Sequence, residues 1–196
     1  MLFKYLDWGC GYIRGLHPLI FKTMASVQEM IQRLQGVRER IKSVPEIVGA
    51  VANAHKDELL SLNKDQMLLG RKSTGGLFKP SYLSDPYFKT KTQAQAYAQM
   101  KYRLEGIHKS RIEHVLGYPD KPKNTPNLIV TGPFQDNMYI TFNGNGFTIG
   151  STYQDSGAIE SKYNNAVFGL APLSREWFYK MYLFDAIRQH IYGYGV

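Results

Sequence analysis

Cysteine is almost missing from this chain: Cys10 is the only one in 196 residues, which excludes an intramolecular disulfide and any multi-cysteine zinc site. Nothing points to an oxidising compartment, and a reduced cytoplasm is the default. Long apolar runs are missing as well. No stretch approaches the roughly 18 uninterrupted apolar residues of a membrane span. The apolar start, 1–21, is broken by Lys4, Asp7, Arg14 and His17 and by Gly9, Gly11, Gly15 and Pro18. It also lacks the charge-then-apolar order of a signal peptide, so the expectation is a soluble protein with no membrane partner. Acidic residues are scarce: 16 Asp+Glu against 24 Lys+Arg leave a net charge of +8. That excess suits nucleic acid, an acidic membrane or an acidic protein, and its sign alone does not choose among them.

What the chain has in quantity is aromatic area. Its 14 Tyr and 10 Phe exceed what a core of this size easily hides, and exposed aromatic surface commonly serves protein contacts. The length suits one domain with extensions rather than two domains. Residues 1–23 read as an N-terminal extension or docking arm, with Leu2, Phe3, Tyr5 and Trp8 among glycine turns and no stable period. Residues 24–196 read as a single domain.

Within that domain the pattern first turns helical. Val27, Ile31, Leu34, Val37 and Ile41 recur three or four apart to about Lys42, as on an amphipathic helix. Ser43-Val44-Pro45-Glu46 reads as the start of a second helix, with Ile47, Val51, His55, Leu59 and Leu62 as its buried stripe. Residues 63–91, rich in Gly and Pro, read as a long irregular loop, a kind more often functional than incidental. A third helix is predicted from a Thr92 cap through Tyr97, Met100, Leu104, Ile107 and Ile112 to Leu116, stopped by Gly117. Pro119, Pro122 and Pro126 mark residues 118–127 as a linker. Leu128-Ile129-Val130 reads as a short strand or the entry to one. Met138 to Phe142 alternates with period two, Asn143-Gly144-Asn145-Gly146 tolerates positive φ, and Phe147-Thr148-Ile149 returns: a β-hairpin. Ile159 to Tyr163 reads as a short helix or turn, and Ala166 to Leu170 as a buried strand or turn. A final helix from Ser174 carries Trp177 or Phe178, Met181, Phe184, Ile187 and Ile191 on one side. The order of elements means α+β: amphipathic helices on a small antiparallel sheet with a β-hairpin and a C-terminal helix.

Sites of chemistry are hard to find. His17, His55, His108, His114 and His190 stand in no metal spacing, and no serine has the G-x-S-x-G elbow. Gly9-Cys10-Gly11 and Gly70-Arg71-Lys72-Ser73 resemble fragments of phosphate loops without the full spacing. Asp120 after Pro119, and Glu160-Ser161-Lys162, spell the two halves of a PD-(D/E)xK nuclease, in which the carboxylates hold Mg²⁺ and the lysine orients water. Asp120, however, lies in a proline-rich stretch, and a complete hairpin separates the halves. The clusters Arg38 to Lys42 and Lys121 to Lys123 suit phosphate contacts, which leaves a nonspecific DNA-binding protein as another alternative.

From Met24 onward the chain resembles the head-to-tail joining and tail-completion (neck) family of tailed bacteriophages, which includes lambda minor tail protein Z and the Mu-type virion-morphogenesis proteins. The likeness rests on an arrangement. Amphipathic helices and a basic linker precede the Thr-Gly step of Thr131-Gly132-Pro133-Phe134-Gln135-Asp136-Asn137-Met138; the hairpin follows, ending near Gly150-Ser151. Then comes the tyrosine-to-glycine segment Lys162 to Leu170, and the closing helix from Ser174. The likeness covers most of 24–196. Pro133, the loop 63–91 and the arm 1–23 depart from the family pattern, so no role is carried over to them. The resemblance implies a structural protein of the virion, assembled in the host cytoplasm, with no catalytic residue, cofactor or metal. Its partners would be copies of itself in a ring, portal, adaptor or tail-terminator proteins, and the DNA passing through the channel. Tyr139 and Thr141 on the hairpin would make intersubunit contact, and Leu2, Phe3, Tyr5 and Trp8 would dock on a neighbour.

Overall fold

The computed structural model describes residues 27–105, 110, 116–129, 132–143 and 146–193. The chain divides into two units, Met1–Glu39 and Arg40–Val196. The first is described only through its helix, α1 (Val27–Lys42), which runs on past the boundary. No residue of α1 is buried, and Val27, Met30, Ile31, Leu34 and Ile41 are exposed.

The second unit is α+β. After α1 come α2 (Val44–Ala54), α3 (Lys56–Leu68), α4 (Lys91–Glu105), the one-turn α5 (Pro133–Asp136), strands β1 (Met138–Asn143) and β2 (Gly146–Ser151), α6 (Ser156–Lys162), α7 (Pro172–Phe178) and α8 (Phe184–Tyr192). The two strands pair antiparallel from Met138↔Ser151 to Asn143↔Gly146 and form the one sheet among the described residues.

Helix α3 is the centre of the packing. Leu59 and Leu62 join Ala52, Leu69, Tyr118, Leu170, Ala171 and Phe178 in one apolar cluster, while Met67 joins Phe78, Phe134, Met138, Ile149, Tyr163 and Val167 in a second. Between these, Asn63 and Gln66 are fully buried one helical turn apart. Gln66 Nε2 donates to Gly169 O at 2.5 Å and its Oε1 accepts from Ala171 N at 2.7 Å. Asn63 Nδ2 donates to Gly169 O at 2.9 Å. Two amides thus satisfy a buried, non-repetitive stretch of main chain, which otherwise costs about 1–3 kcal/mol per orphaned group.

The single helix expected from Ser43 to Leu62 is two helices that meet at His55, whose φ of −115° and ψ of 30° leave the helical region. The kink lays the His55 ring on Tyr182, centroids 4.0 Å apart, and sets it edge-on to Phe178. The loop expected at 63–91 begins only after Leu68, and it is tied to the body. Phe78 is buried, Phe78 N donates to Gly70 O and Ser73 N to Ala166 O, and a 3₁₀ turn, Tyr82–Ser84, buries Tyr82. Residues 118–127 form no linker: Tyr118, Thr125, Pro126 and Asn127 are buried. Tyr118 Oη lies 2.9 Å from Ser174 Oγ, and Tyr82 Oη donates to Asn127 Oδ1 at 3.1 Å. Leu128 and Ile129 form no strand, since Leu128 has φ +57°. Past Glu105, of the third helix's expected continuation, only Ser110 and Leu116 are among the described residues.

The C-terminal helix starts at Pro172, two residues before Ser174, and a π-helical turn at Tyr179–Leu183 joins α7 to α8. Its wider turn shifts the inward face by about one residue. Phe178, Tyr182, Leu183, Ile187 and Ile191 therefore face the body, while Met181 and Phe184 of the expected stripe are exposed.

Candidate interaction surfaces

The hairpin follows from its alternation. Met138, Ile140 and Phe142 turn toward the core, and Tyr139, Thr141 and Asn143 turn outward. Tyr139 is 45% exposed, and its ring lies across the opposing Gly150, where an added Cβ would come within 2.8 Å of the ring's Cζ. An aromatic ring covering a cross-strand glycine holds that side chain in one place at the surface. Because the sheet has two strands, both outer edges are without a strand partner among the described residues. Such an edge presents unpaired N–H and C=O groups to any approaching strand.

A second surface is an aromatic cleft of about 530 Å³, built by α4, the 3₁₀ turn, residues 85–88, the stretch around Pro126 and Leu128, and α6. Tyr97 packs edge-on to Tyr82 at 5.3 Å and against Phe88 at 5.1 Å. Tyr163 packs edge-on to Phe78 at 4.8 Å. Two charged side chains sit in this wall. Asp85 is buried, accepts from Tyr87 N and pairs with Lys162 Nζ. Lys101 is 1% exposed, its Nζ donates to Ile129 O, and it stands 5.8 Å from the Tyr82 ring centroid. Burial lowers its pKa to about 8, offset in part by Glu105 and reinforced by Lys121. Burial likewise raises the pKa of Tyr82, Tyr97 and Tyr163, which keeps these hydroxyls protonated beyond the ordinary tyrosine range. Rings beside a buried carboxylate suit the insertion of a partner's aromatic or arginine side chain.

Sequence reasoning found neither Lys101 nor Asp85. The available signals were the density of rings at Tyr82, Tyr87, Phe88 and Tyr97, and a lysine placed one turn beyond Tyr97. On α4 the buried positions are Ala94, Ala98 and Lys101, whereas Met100 of the expected stripe is exposed.

Of the residues expected to make contacts, Tyr139 and Thr141 share the outward side of the hairpin. Leu2, Phe3, Tyr5 and Trp8 lie outside the described residues, as do His17, His108, His114 and Gly9-Cys10-Gly11. His190 Nε2 lies 2.8 Å from Ser43 Oγ and 3.1 Å from Arg40 O. The Gly70–Ser73 segment spends its amides internally: Arg71 N donates to Gln66 O, Lys72 N to Gly76 O and Ser73 N to Ala166 O. Of the nuclease-like residues, Glu160 accepts from Ser156 Oγ at 2.8 Å, Lys162 is paired with Asp85, and Asp120 is exposed. Among the described residues no group of three or more His, Cys, Asp or Glu is placed to hold a metal ion. Nor is any described helix long and apolar enough to cross a membrane. In comparisons with protein-family models, curated proteins and solved structures, the chain matches none.

Proposed function

We propose that this chain is a structural subunit of a tailed-phage particle, forming a ring in the head-to-tail connector or completing the tail, and that its work is assembly. The observation that carries the reading is the two-stranded sheet. One side is anchored in both apolar clusters, and the other presents Tyr139 and Thr141 beside edges that no described strand covers. A ring subunit needs such a continuable edge on a rigid body. The aromatic cleft adds a recess of the kind that anchors neighbours, and the net charge of +8 suits acidic portal or adaptor surfaces or the DNA in the channel.

Analytical ultracentrifugation of the purified full chain tests the reading. The wild type is expected to form a closed oligomer. The double variant Tyr139→Glu, Thr141→Glu is expected to sediment as a folded monomer, because both side chains point away from the core. A monomeric wild type at every concentration, absent from assembled particles, would sink the ring. So would Mg²⁺-dependent cleavage of plasmid DNA that is lost on Glu160→Ala, since it would make the chain an enzyme.

A further inference from the structure

Helix α1 presents an apolar seam with an unusual charge arrangement. Val27, Met30, Leu34 and Val37 are spaced three, four and three apart, and Ile41 continues the same helix four further on. These are alternating a and d positions of a heptad, the seam along which a second helix packs in a coiled coil, widened at one e position by Ile31. Leu34 is 63% exposed and Val27 71%. On the heptad so defined, the flanking e and g positions hold Ile31, Arg33, Arg38 and Arg40, and the two glutamates, Glu29 and Glu39, fall at the outer c and f positions. Positive charge lines the seam and negative charge stands away from it.

We propose that this seam receives an acidic amphipathic helix of another protein, one with apolar a and d residues flanked by Glu or Asp. Charge complementarity selects that occupant. A second copy of α1 meets like charge: in a parallel pair, g residues lie against e residues of the next heptad and Arg33 faces Arg38. In an antiparallel pair in a–d register, g lies against g and Arg33 faces Arg33. The chain's own first 26 residues are an unsuitable occupant on the same ground, since they carry Lys4, Arg14 and Lys22 against the single acid Asp7. A membrane surface fits less well. Helices that lie in lipid headgroups bring aromatic anchors, whereas α1 has no aromatic residue and carries Gln28, Gln32 and Gln35 on its outer side. Nucleic acid would engage the arginines and leave the seam in water. The proposal does not depend on the hairpin making a ring.

The test uses the full chain and a fluorescein-labelled helical peptide of about three heptads with Leu at a and d and Glu at e and g. Fluorescence anisotropy should show saturable binding, weaker by about tenfold or more for the peptide with Lys at e and g. Leu34→Asp, at an exposed position, should abolish binding while circular dichroism stays that of the wild type. The double variant Arg33→Glu, Arg38→Glu should reverse the preference between the two peptides. Equal binding of both peptides, or binding indifferent to Leu34→Asp, would overturn the proposal. So would a wild-type mass that falls on Leu34→Asp without peptide, which marks self-pairing, or peptide binding that appears only once residues 1–26 are removed. Binding of phosphatidylglycerol vesicles or random duplex DNA that Leu34→Asp abolishes would assign the seam to lipid or nucleic acid instead. The ring variants of the hairpin should leave peptide binding unchanged, which separates the two interfaces.

Discussion

Lys101 is a buried ammonium whose charge is held against its preference, and that makes it a measurable load on the fold. Its folded pKa of about 8 lies below the ordinary 10.5 because burial disfavours the charged form, and Glu105 offsets this only in part. The sign follows from proton counting. Between those two values the unfolded chain binds more protons than the folded one, so stability rises with pH. Below pH 8 the penalty is fully present, and it is relieved as pH climbs toward 10.5. With up to about 1.4 kcal/mol per pH unit across the window, the gain between about pH 7.5 and 9.5 comes to about 2 kcal/mol. Measurement stops there because Tyr82 and Tyr163 act in the opposite sense. Burial raises their pKa above 10.0, so above that pH the folded chain keeps protons that the unfolded chain releases, and stability falls. The assay is urea unfolding of wild type and Lys101→Met at both ends of the window. Methionine keeps an unbranched apolar chain as far as Cε and leaves Ile129 O unpaired at both pH values, so that cost cancels from the comparison. The wild type should gain about 2 kcal/mol on the variant between the two ends. Parallel stabilities of the two proteins would refute the reasoning, because they would mean that the ammonium is not desolvated in the folded state.

Three further substitutions probe the main chain of α3 and its neighbours. Gln66→Leu should destabilise by about 1–3 kcal/mol, since it strips the acceptor from the buried Ala171 N; Asn63 still serves Gly169 O, so hydrogen exchange should accelerate first at the Ala171 amide, and an unchanged rate there would count against the contact. Gly70→Ala should cost more than about 3 kcal/mol, combining a left-handed φ of +67° with a Cβ placed 2.7 Å from Thr125 Cγ2 and 2.9 Å from Pro126 O. Gly117→Ala, at nearly the same φ with no described atom within 4 Å, should cost only the backbone share of about 1–2 kcal/mol, so equal losses of melting temperature in the two variants would remove the steric part.

The hairpin and the α+β class were legible because each rests on a local rule. Period-two alternation between Met138 and Phe142 can bury only one side of a strand, and the Asn-Gly repeat allows a tight return. The first helix was legible for the same reason. The break at His55 was not. Neither glycine nor proline marks it, and the residue leaves helical geometry where its ring stacks on Tyr182, more than a hundred residues away in sequence. The C-terminal helix shows the same limit. A 3.6-residue period through Met181 and Phe184 is the correct inference for an unbroken α-helix, and one π turn moves both residues outward.

Polarity misled the reading in a more general way. Residues 118–127 read as a linker because prolines and lysines fill them, yet Asn127 and Thr125 are buried there. Asn63, Gln66 and Lys101 fall on buried sides of helices, where a hydropathy pattern expects apolar residues. A hydropathy pattern scores each side chain by its cost of leaving water, but that cost is removed when a partner meets every donor and acceptor. Gln66 buries at low cost only because the main chain of residues 169–171 runs past it and meets both its amide atoms; Asn127 is met only at Oδ1, on which Tyr82 Oη and Ile129 N converge, and its Nδ2 is left without a partner among the described residues. Those partners come from distant parts of the chain, so the pairings exist only once the fold does. The seam of α1 is the converse case. Its a and d residues carry a core-like pattern, yet Val27, Met30, Leu34 and Ile41 are exposed and Val37 is half-buried; the arginines beside them, which an apolar score ignores, set what kind of helix can cover it.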